Sequence, residues 1–185
     1  MILIDPSIDD NHALYMASRK GYPSIVSLLA MDDRVDCSSR NDYALRRACF
    51  NGHADVVSQL VKDPKVDSSG LDGIAMFFAG QNNHTEVIRV LIADPRFDPS
   101  LRNNYAILWA CERGVFDLAK TLLADPRVDP SVDDNHAMKI AAENGDLDLI
   151  LLLLPHRRVD VTVANNYPFR TGNRWTFFIL STDNE

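Results

Sequence analysis

Apolar positions recur along this chain on two nested periods. In the stretch from Tyr105 to Gly114, the residues Ala106, Ile107 and Ala110 stand at i, i+1 and i+4, which places one apolar stripe on one helix face. A second stripe, Leu118 and Leu122, follows a glycine at the same i, i+4 spacing. Each of these positions returns every 31 residues: Ala13, Ala44, Ala75, Ala106 and Ala137 form one column, Leu14, Leu45, Met76, Ile107 and Met138 another, and Ala17, Ala48, Ala79, Ala110 and Ala141 a third. The second stripe gives the columns Ile25, Val56, Val87, Leu118, Leu149 and Leu29, Leu60, Leu91, Leu122, Leu153. Polar positions obey the same period, with closing aspartates at Asp5, Asp36, Asp67, Asp98, Asp129 and Asp160. A fixed period of this size means one supersecondary unit repeated in a line.

Within a unit, a polar turn comes first, ending in Asp10-Asn11, Asn41-Asp42, Asp72-Gly73, Asn103-Asn104 or Asp134-Asn135. Asp and Asn side chains accept the orphan N–H groups of a helix's first turn, so these residues predict N-caps and a helix starting near Tyr105 and its column mates. The helix stops at Gly21, Gly52, Gly114 and Gly145, with Asn83 in the third unit, because glycine and asparagine take the left-handed stop conformation most readily. A second helix follows, with acids mostly in its first turn, which suits the positive end of the dipole. Asp-Pro closes it, since proline disfavours a helical conformation in the residue before it. Helices of about eight to ten residues are marginal alone in water, so these stand only by stacking. The prediction is an all-α helical repeat solenoid with units at about 5–36, 37–67, 68–98, 99–129 and 130–160, a partial sixth from 161, and a divergent tail at 170–185.

The pattern is similar to the ankyrin repeat. Tyr43-Ala-Leu-Arg-Arg-Ala-Cys-Phe-Asn-Gly-His53 followed by Asp55-Val-Val-Ser-Gln-Leu-Val61 carries it, as does His136-Ala-Met-Lys-Ile-Ala-Ala-Glu-Asn-Gly145. The resemblance covers most of the chain, from Asp5 to about Phe169. The usual period of that family is about 33 residues, so a 31-residue copy implies three fewer residues in the connecting turn and one more after the second helix. Short turns are therefore expected in place of the long β-hairpin fingers. The resemblance further implies a non-enzymatic, protein-binding scaffold that grips a partner on the concave face formed by first helices and turns, and a structural hydrogen-bonding role for His53 and His84. Alternatives are a purely structural or decayed array without a dedicated partner and, behind that, a small-ligand-binding protein or enzyme.

Composition narrows this only at the edges. Net charge is −7, against broad nucleic-acid binding, which needs a basic face. The start lacks a basic n-region and a long apolar run, and Leu149–Leu154 is far too short to span a membrane. The chain therefore reads as intracellular and cytoplasmic, monomeric, with end-to-end association open through uncapped ends. Cys37, Cys49 and Cys111 lack metal-type spacing and read as free buried thiols. The third unit holds Gly70, Gly73 and Gly80, each weakening an element by about 1 kcal/mol, so fraying is expected there first. In the tail, Trp175–Leu180 is apolar and reads as a makeshift cap, with a docking segment for a partner or a disordered, aggregation-prone stretch as the alternatives.

No motif for catalysis, metal binding or a cofactor occurs: there is no phosphate loop, nucleophile elbow or Cys-x-x-Cys. The columns that change between copies are the better functional signal. In the first helices and turns they carry Arg40, Tyr43, Arg46, Arg47, Phe50, Phe77, Phe78, Arg102, Tyr105, Leu108, Trp109 and Glu112. Arg, Trp and Tyr are enriched at binding hot spots, which makes this set the candidate partner surface.

Overall fold

A computed structural model describes residues 5–156 and 158–160. The tail at 170–185, its Trp175–Leu180 segment and the partial sixth repeat lie outside the described residues. The described residues form ten helices and no strand: α1 (Ile8–Lys20), α2 (Pro23–Ala30), α3 (Ser39–Asn51), α4 (Ala54–Leu60), α5 (Gly70–Gln81), α6 (Thr85–Ala93), α7 (Leu101–Glu112), α8 (Phe116–Leu123), α9 (Val132–Asn144) and α10 (Leu147–Leu153). Short turns without strands join them, as the 31-residue period predicts. The described residues fall into two compact units, divided between Asp98 and Pro99.

In the first unit, α1 packs on α3 and α3 on α5, while α2 packs on α4 and α4 on α6. In the second, α7 packs on α9 and α8 contacts α10. The predicted columns form the cores: Leu14, Ala17, Leu45, Ala48, Val56, Leu60, Met76, Ala79, Val87 and Leu91 are buried in one unit, and Ile107, Ala110, Leu118, Leu122, Met138, Ala141, Leu149 and Leu153 in the other. The first repeat departs from this, because Ile25 is 47% exposed. All three cysteines are free and buried. Burial pushes the Cys37 and Cys111 thiols up to about 12 and Cys49 up as well, which keeps them unreactive.

The alanine column has a second task. The first helices stop at residues with positive φ: 76° at Gly21, 79° at Gly52, 59° at Asn83, 64° at Gly114 and 66° at Gly145. The next residue's N–H then reaches back to the alanine carbonyl, Tyr22 to Ala17, His53 to Ala48, His84 to Ala79, Val115 to Ala110 and Asp146 to Ala141. This is the six-to-one bond of a Schellman stop.

The opening turns correct the capping expectation. Asp9-Asp10-Asn11, Arg40-Asn41-Asp42, Arg102-Asn103-Asn104 and Asp133-Asp134-Asn135 all have φ between 51° and 65°. Each is therefore a single left-handed turn ahead of a right-handed helix. It closes when the N–H of its last residue bonds the carbonyl of a serine four residues back, Asn11 to Ser7 and Asp42 to Ser38 at 3.0 Å among them. Left-handed backbone costs about 1 kcal/mol or more per residue with a Cβ, and Asn and Asp tolerate it best.

The last side chain of the turn does not cap its own helix. Asn11 Oδ1 accepts from the N–H of Asp36 at 3.0 Å, Asp42 Oδ1 from Asp67 at 3.2 Å, Asn104 Oδ1 from Asp129 at 2.7 Å and Asn135 Oδ1 from Asp160 at 2.7 Å. Each bond ties a turn to the one that opens the following repeat. In the third repeat Gly73 occupies this position, at φ 74°. Glycine takes that conformation without strain, so Gly73 does not weaken the repeat as expected from composition. It has no side-chain acceptor, and Ser69 Oγ takes the N–H of Asp98 instead, at 2.6 Å.

The Asp-Pro-Arg-Val-Asp stretches are joints. The carbonyls of Asp32, Asp63, Asp94 and Asp125 accept the N–H three residues on, and their carboxylates accept the N–H two residues on. Arg34, Arg96 and Arg127 fold back to donate Nε and Nη2 to the same carboxylates. An aspartate at a helix C-terminus opposes the dipole, and this set of donors outweighs that. Arginine hydrogen bonds hold Asp32 and Asp125 down to about 2. Stability from these depressed carboxylates is present above the unfolded value near 4 and is lost as pH falls through about 2.

Candidate functional site

The first helices beyond their left-handed turns differ in composition from everything around them. In the first unit, residues 12–20, 43–51 and 74–82 contain Arg19, Lys20, Arg46 and Arg47 and no Asp or Glu. The acids of that unit stand in turns and second helices. One face therefore carries cations and rings within a chain of net charge −7.

At its centre is Tyr43. The rings of Tyr15 and Tyr43 stack with centroids 4.9 Å apart and planes 23° apart, and His12 meets Tyr15 edge-on at 5.6 Å. The helical period explains the ladder, because Tyr15 and Tyr43 sit on packed neighbours α1 and α3. The guanidinium carbons of Arg46 and Arg47 lie 5.2 and 5.0 Å from the Tyr43 ring centroid, within the range of cation–π attraction. Arg47 also donates Nη2 to the Tyr43 hydroxyl at 2.8 Å. That hydrogen bond holds the Tyr43 phenol below its ordinary value.

Arg46 donates to two main-chain carbonyls, Asn41 at 2.9 Å and Arg40 at 2.9 Å. Those carbonyls belong to the left-handed turn, so the side chain braces the strained segment. Arg40 pairs with Asp10 at 2.8 Å, with both groups more than half exposed. Such a surface pair is worth little in stability. No carboxylate pairs with Arg46 or Arg47 among the described residues, and Arg47 Nε has no acceptor. At the other end of α3, Phe50 is 41% exposed and meets Phe78 edge-on at 5.6 Å. Phe77 tilts against Phe78 at 6.2 Å.

The structure therefore brings Arg40, Tyr43, Arg46, Arg47, Phe50 and Phe77 into one unit on neighbouring helices. Arg102, Tyr105, Leu108, Trp109 and Glu112 all stand on α7 in the other unit. Arg102 and Glu112 are exposed and Tyr105 is half-buried. Leu108 and Trp109 are buried, Trp109 at 3% exposure, so neither offers a surface to a partner in this conformation; residue type suggested a hot spot, and packing decided otherwise. Tyr15 and His12 are missing from the candidate set although they extend the ladder. The signal was present, because Tyr15 shares its variable column with Arg46.

His53 and His84 are joints as expected. His53 Nε2 donates to the Arg19 carbonyl at 3.0 Å and His84 Nε2 to the Phe50 carbonyl at 3.1 Å. Each ring lies against the preceding glycine stop, so that a Cβ on Gly21 would come within 2.6 Å of His53 and one on Gly52 within 2.5 Å of His84. Among the described residues no three His, Cys, Asp or Glu side chains converge as metal ligands. No helix of the described residues is long and apolar enough to cross a membrane.

A comparison with curated proteins finds no match. The comparison with protein families does: residues 76–165 match the model for ankyrin repeats, in three copies. The same period, helix pairs and glycine stops run through residues 5–98. Residues 76–165 of the chain carry three ankyrin repeats.

Proposed function

We propose that this chain is a non-enzymatic protein-interaction module, and that the first-helix and turn face of residues 5–98 holds the partner. Ankyrin repeats are in general protein–protein interaction modules, and in such arrays this face is the concave one. The observation that carries the reading is the Tyr15–Tyr43 stack with Arg46 and Arg47 beside it. Large rings and guanidinium groups stand there part-exposed and held in place before any partner arrives, which lowers the ordering cost of binding. Leu108 and Trp109 lie outside the proposed surface because they are buried. In the second unit, Arg102, Tyr105 and Glu112 are its candidates.

Selection of a displayed peptide library on the chain tests this. Recovered clones are expected to lose at least about tenfold in affinity on Arg46→Ala with Phe50→Ala, and to be unaffected by Gln59→Ala on the second helix. Clones that respond to Gln59→Ala and ignore the first-helix pair overturn the proposal.

A further inference from the structure

We infer that the first-helix face of residues 5–98 takes an acidic segment of its partner, with carboxylates on Arg46 and Arg47 and an apolar or aromatic side chain against Phe50. The inference rests on the binding proposal above and specifies the chemistry of the partner.

Three observations converge on it. Residues 12–20, 43–51 and 74–82 hold four cations and no acid. If solubility alone shaped this surface, a chain of net charge −7 would be expected to mix both signs here, as it does elsewhere. Next, the two central guanidinium groups are held in place without an ion pair to any carboxylate among the described residues. Arg46 is fixed by the carbonyls of Arg40 and Asn41 and Arg47 by the Tyr43 hydroxyl and ring; Arg47 Nε itself is buried, so it is not the atom that meets a partner. Neither Arg46 nor Arg47 forms an ion pair with a described carboxylate, although the Asp42 charge is felt at Arg46, whereas Arg34, Arg96 and Arg127 all meet carboxylates. Finally, Phe50 stands exposed at the far end of the same helix with one edge against Phe78. A carboxylate on planar, pre-placed guanidinium groups makes charge-assisted hydrogen bonds of the stronger kind, and the adjacent ring supplies apolar contact. The repelling net charge of the chain works against a polyanion, so local placement must dominate.

The test uses fluorescein-labelled, amidated octapeptides on the full chain: octaglutamate, the same peptide with two glutamates replaced by phenylalanine, octalysine, and the oligonucleotide dT8. Both acidic peptides are expected to bind saturably, the phenylalanine-containing one more tightly, and to weaken with added salt. Arg46→Gln with Arg47→Gln is expected to reduce that binding about tenfold or more. Arg46→Lys with Arg47→Lys keeps the charge and is expected to retain most of it, and this pair guards against loss through misfolding. Preference for octalysine, equal binding of dT8, or acidic-peptide binding unchanged by the glutamine pair overturns the inference. Failure here is separable from failure of the function. Display-selected clones that bind this face without acidic residues leave the interaction module standing and remove only its acidic partner, whereas clones that map elsewhere remove both.

Discussion

The two units share one frame and use it differently. In residues 5–98 the first helices beyond their opening turns (residues 12–20, 43–51 and 74–82) carry cations and rings without a carboxylate; in the other unit residues 105–113 and 136–144 carry Glu112 and Glu143 beside Arg113 and Lys139. His136 and Glu112 lie 3.6 Å apart and Lys139 reaches Asp134 at 2.6 Å, so charge on that face is satisfied locally. The joints differ too. The first unit locks its repeats with histidine rings over glycine stops and with Arg96. The second uses exposed pairs, Asn103 to Asp133 at 2.7 Å and Arg158 to Asp129 at 2.8 Å. Identical buried columns thus leave the exterior free, and the first unit combines firmer joints with the more specialised face. Since repeat stability is a sum of nearest-neighbour terms, the joints can be broken one at a time.

The largest loss is expected at Arg96. Its guanidinium binds Asp94, whose side chain is 5% exposed, and also reaches back to the carbonyls of Val61, Asp63, Pro64 and Val66 in the preceding joint. Arg96→Ala strands a buried carboxylate and several carbonyls at once, so a loss of about 2–3 kcal/mol is expected in urea unfolding. Arg158→Ala in the second unit removes only an exposed pair and is expected to cost less than about 1 kcal/mol. Equal losses would show that the two joints do not differ in kind.

The glycine stops come next. Gly52→Ala meets both a φ of 79° and the His84 ring, whereas Gly114→Ala has a φ of 64° and open space around it. Positive φ alone costs about 1 kcal/mol, and contact with the ring is expected to add at least as much again at Gly52. A double-mutant cycle isolates that second part. In a His84→Ala background, Gly52→Ala should cost about what Gly114→Ala does. A coupling of zero would mean that the ring yields freely and the histidine lock is not rigid.

Much of this frame was legible in the sequence because five copies average out local accident. The alanine and leucine columns, the glycine stops with Asn83 as the one substitute, and the replacement of fingers by short turns all follow from residues whose steric requirement is local. The left-handed opening turns were not legible. Asn and Asp favour both N-cap and left-handed backbone, so Asp133-Asp134-Asn135 reads equally well as a cap. The bond from Asn104 to the N–H of Asp129 was hidden for another reason, since it joins residues 25 apart through an orphan donor that only the folded turn exposes. At the candidate surface, residue type is what proposes Arg46, Arg47 and Tyr43. Type alone does not separate Trp109, which is buried, from Phe50, which is not; the column Met16, Arg47, Phe78, Trp109 and Ile140 does, since it is mostly apolar and reads as packing between repeats.

The smallest expected effect sits in the turn column where Asp42 corresponds to the neutral Asn104 of the other unit. Asp42 and Asn104 hold equivalent places, each accepting the N–H of the next closing aspartate. Burial raises the Asp42 carboxyl above its ordinary value, against the opposing pull of the Asp67 N–H. A carboxyl raised in the folded state lowers stability as pH climbs past its unfolded value near 4, and costs nothing below it. Asp42→Asn keeps the acceptor and removes the charge, so it is expected to stabilise at pH 7 by less than about 1 kcal/mol. The gain should shrink to nothing as pH falls below 4. Asn104→Asp in the second unit is expected to do the reverse, destabilising at pH 7 and recovering in acid. Thermal unfolding of both variants at pH 7 and pH 3.5 reads the pair. If Asp42→Asn destabilises at pH 7, the carboxylate must be held by a charge rather than tolerated in spite of burial. In that event the nearest candidate is Arg46, four residues along the same helix, whose charge already favours the ionised Asp42 carboxyl, and the basic face would then be partly neutralised from beneath.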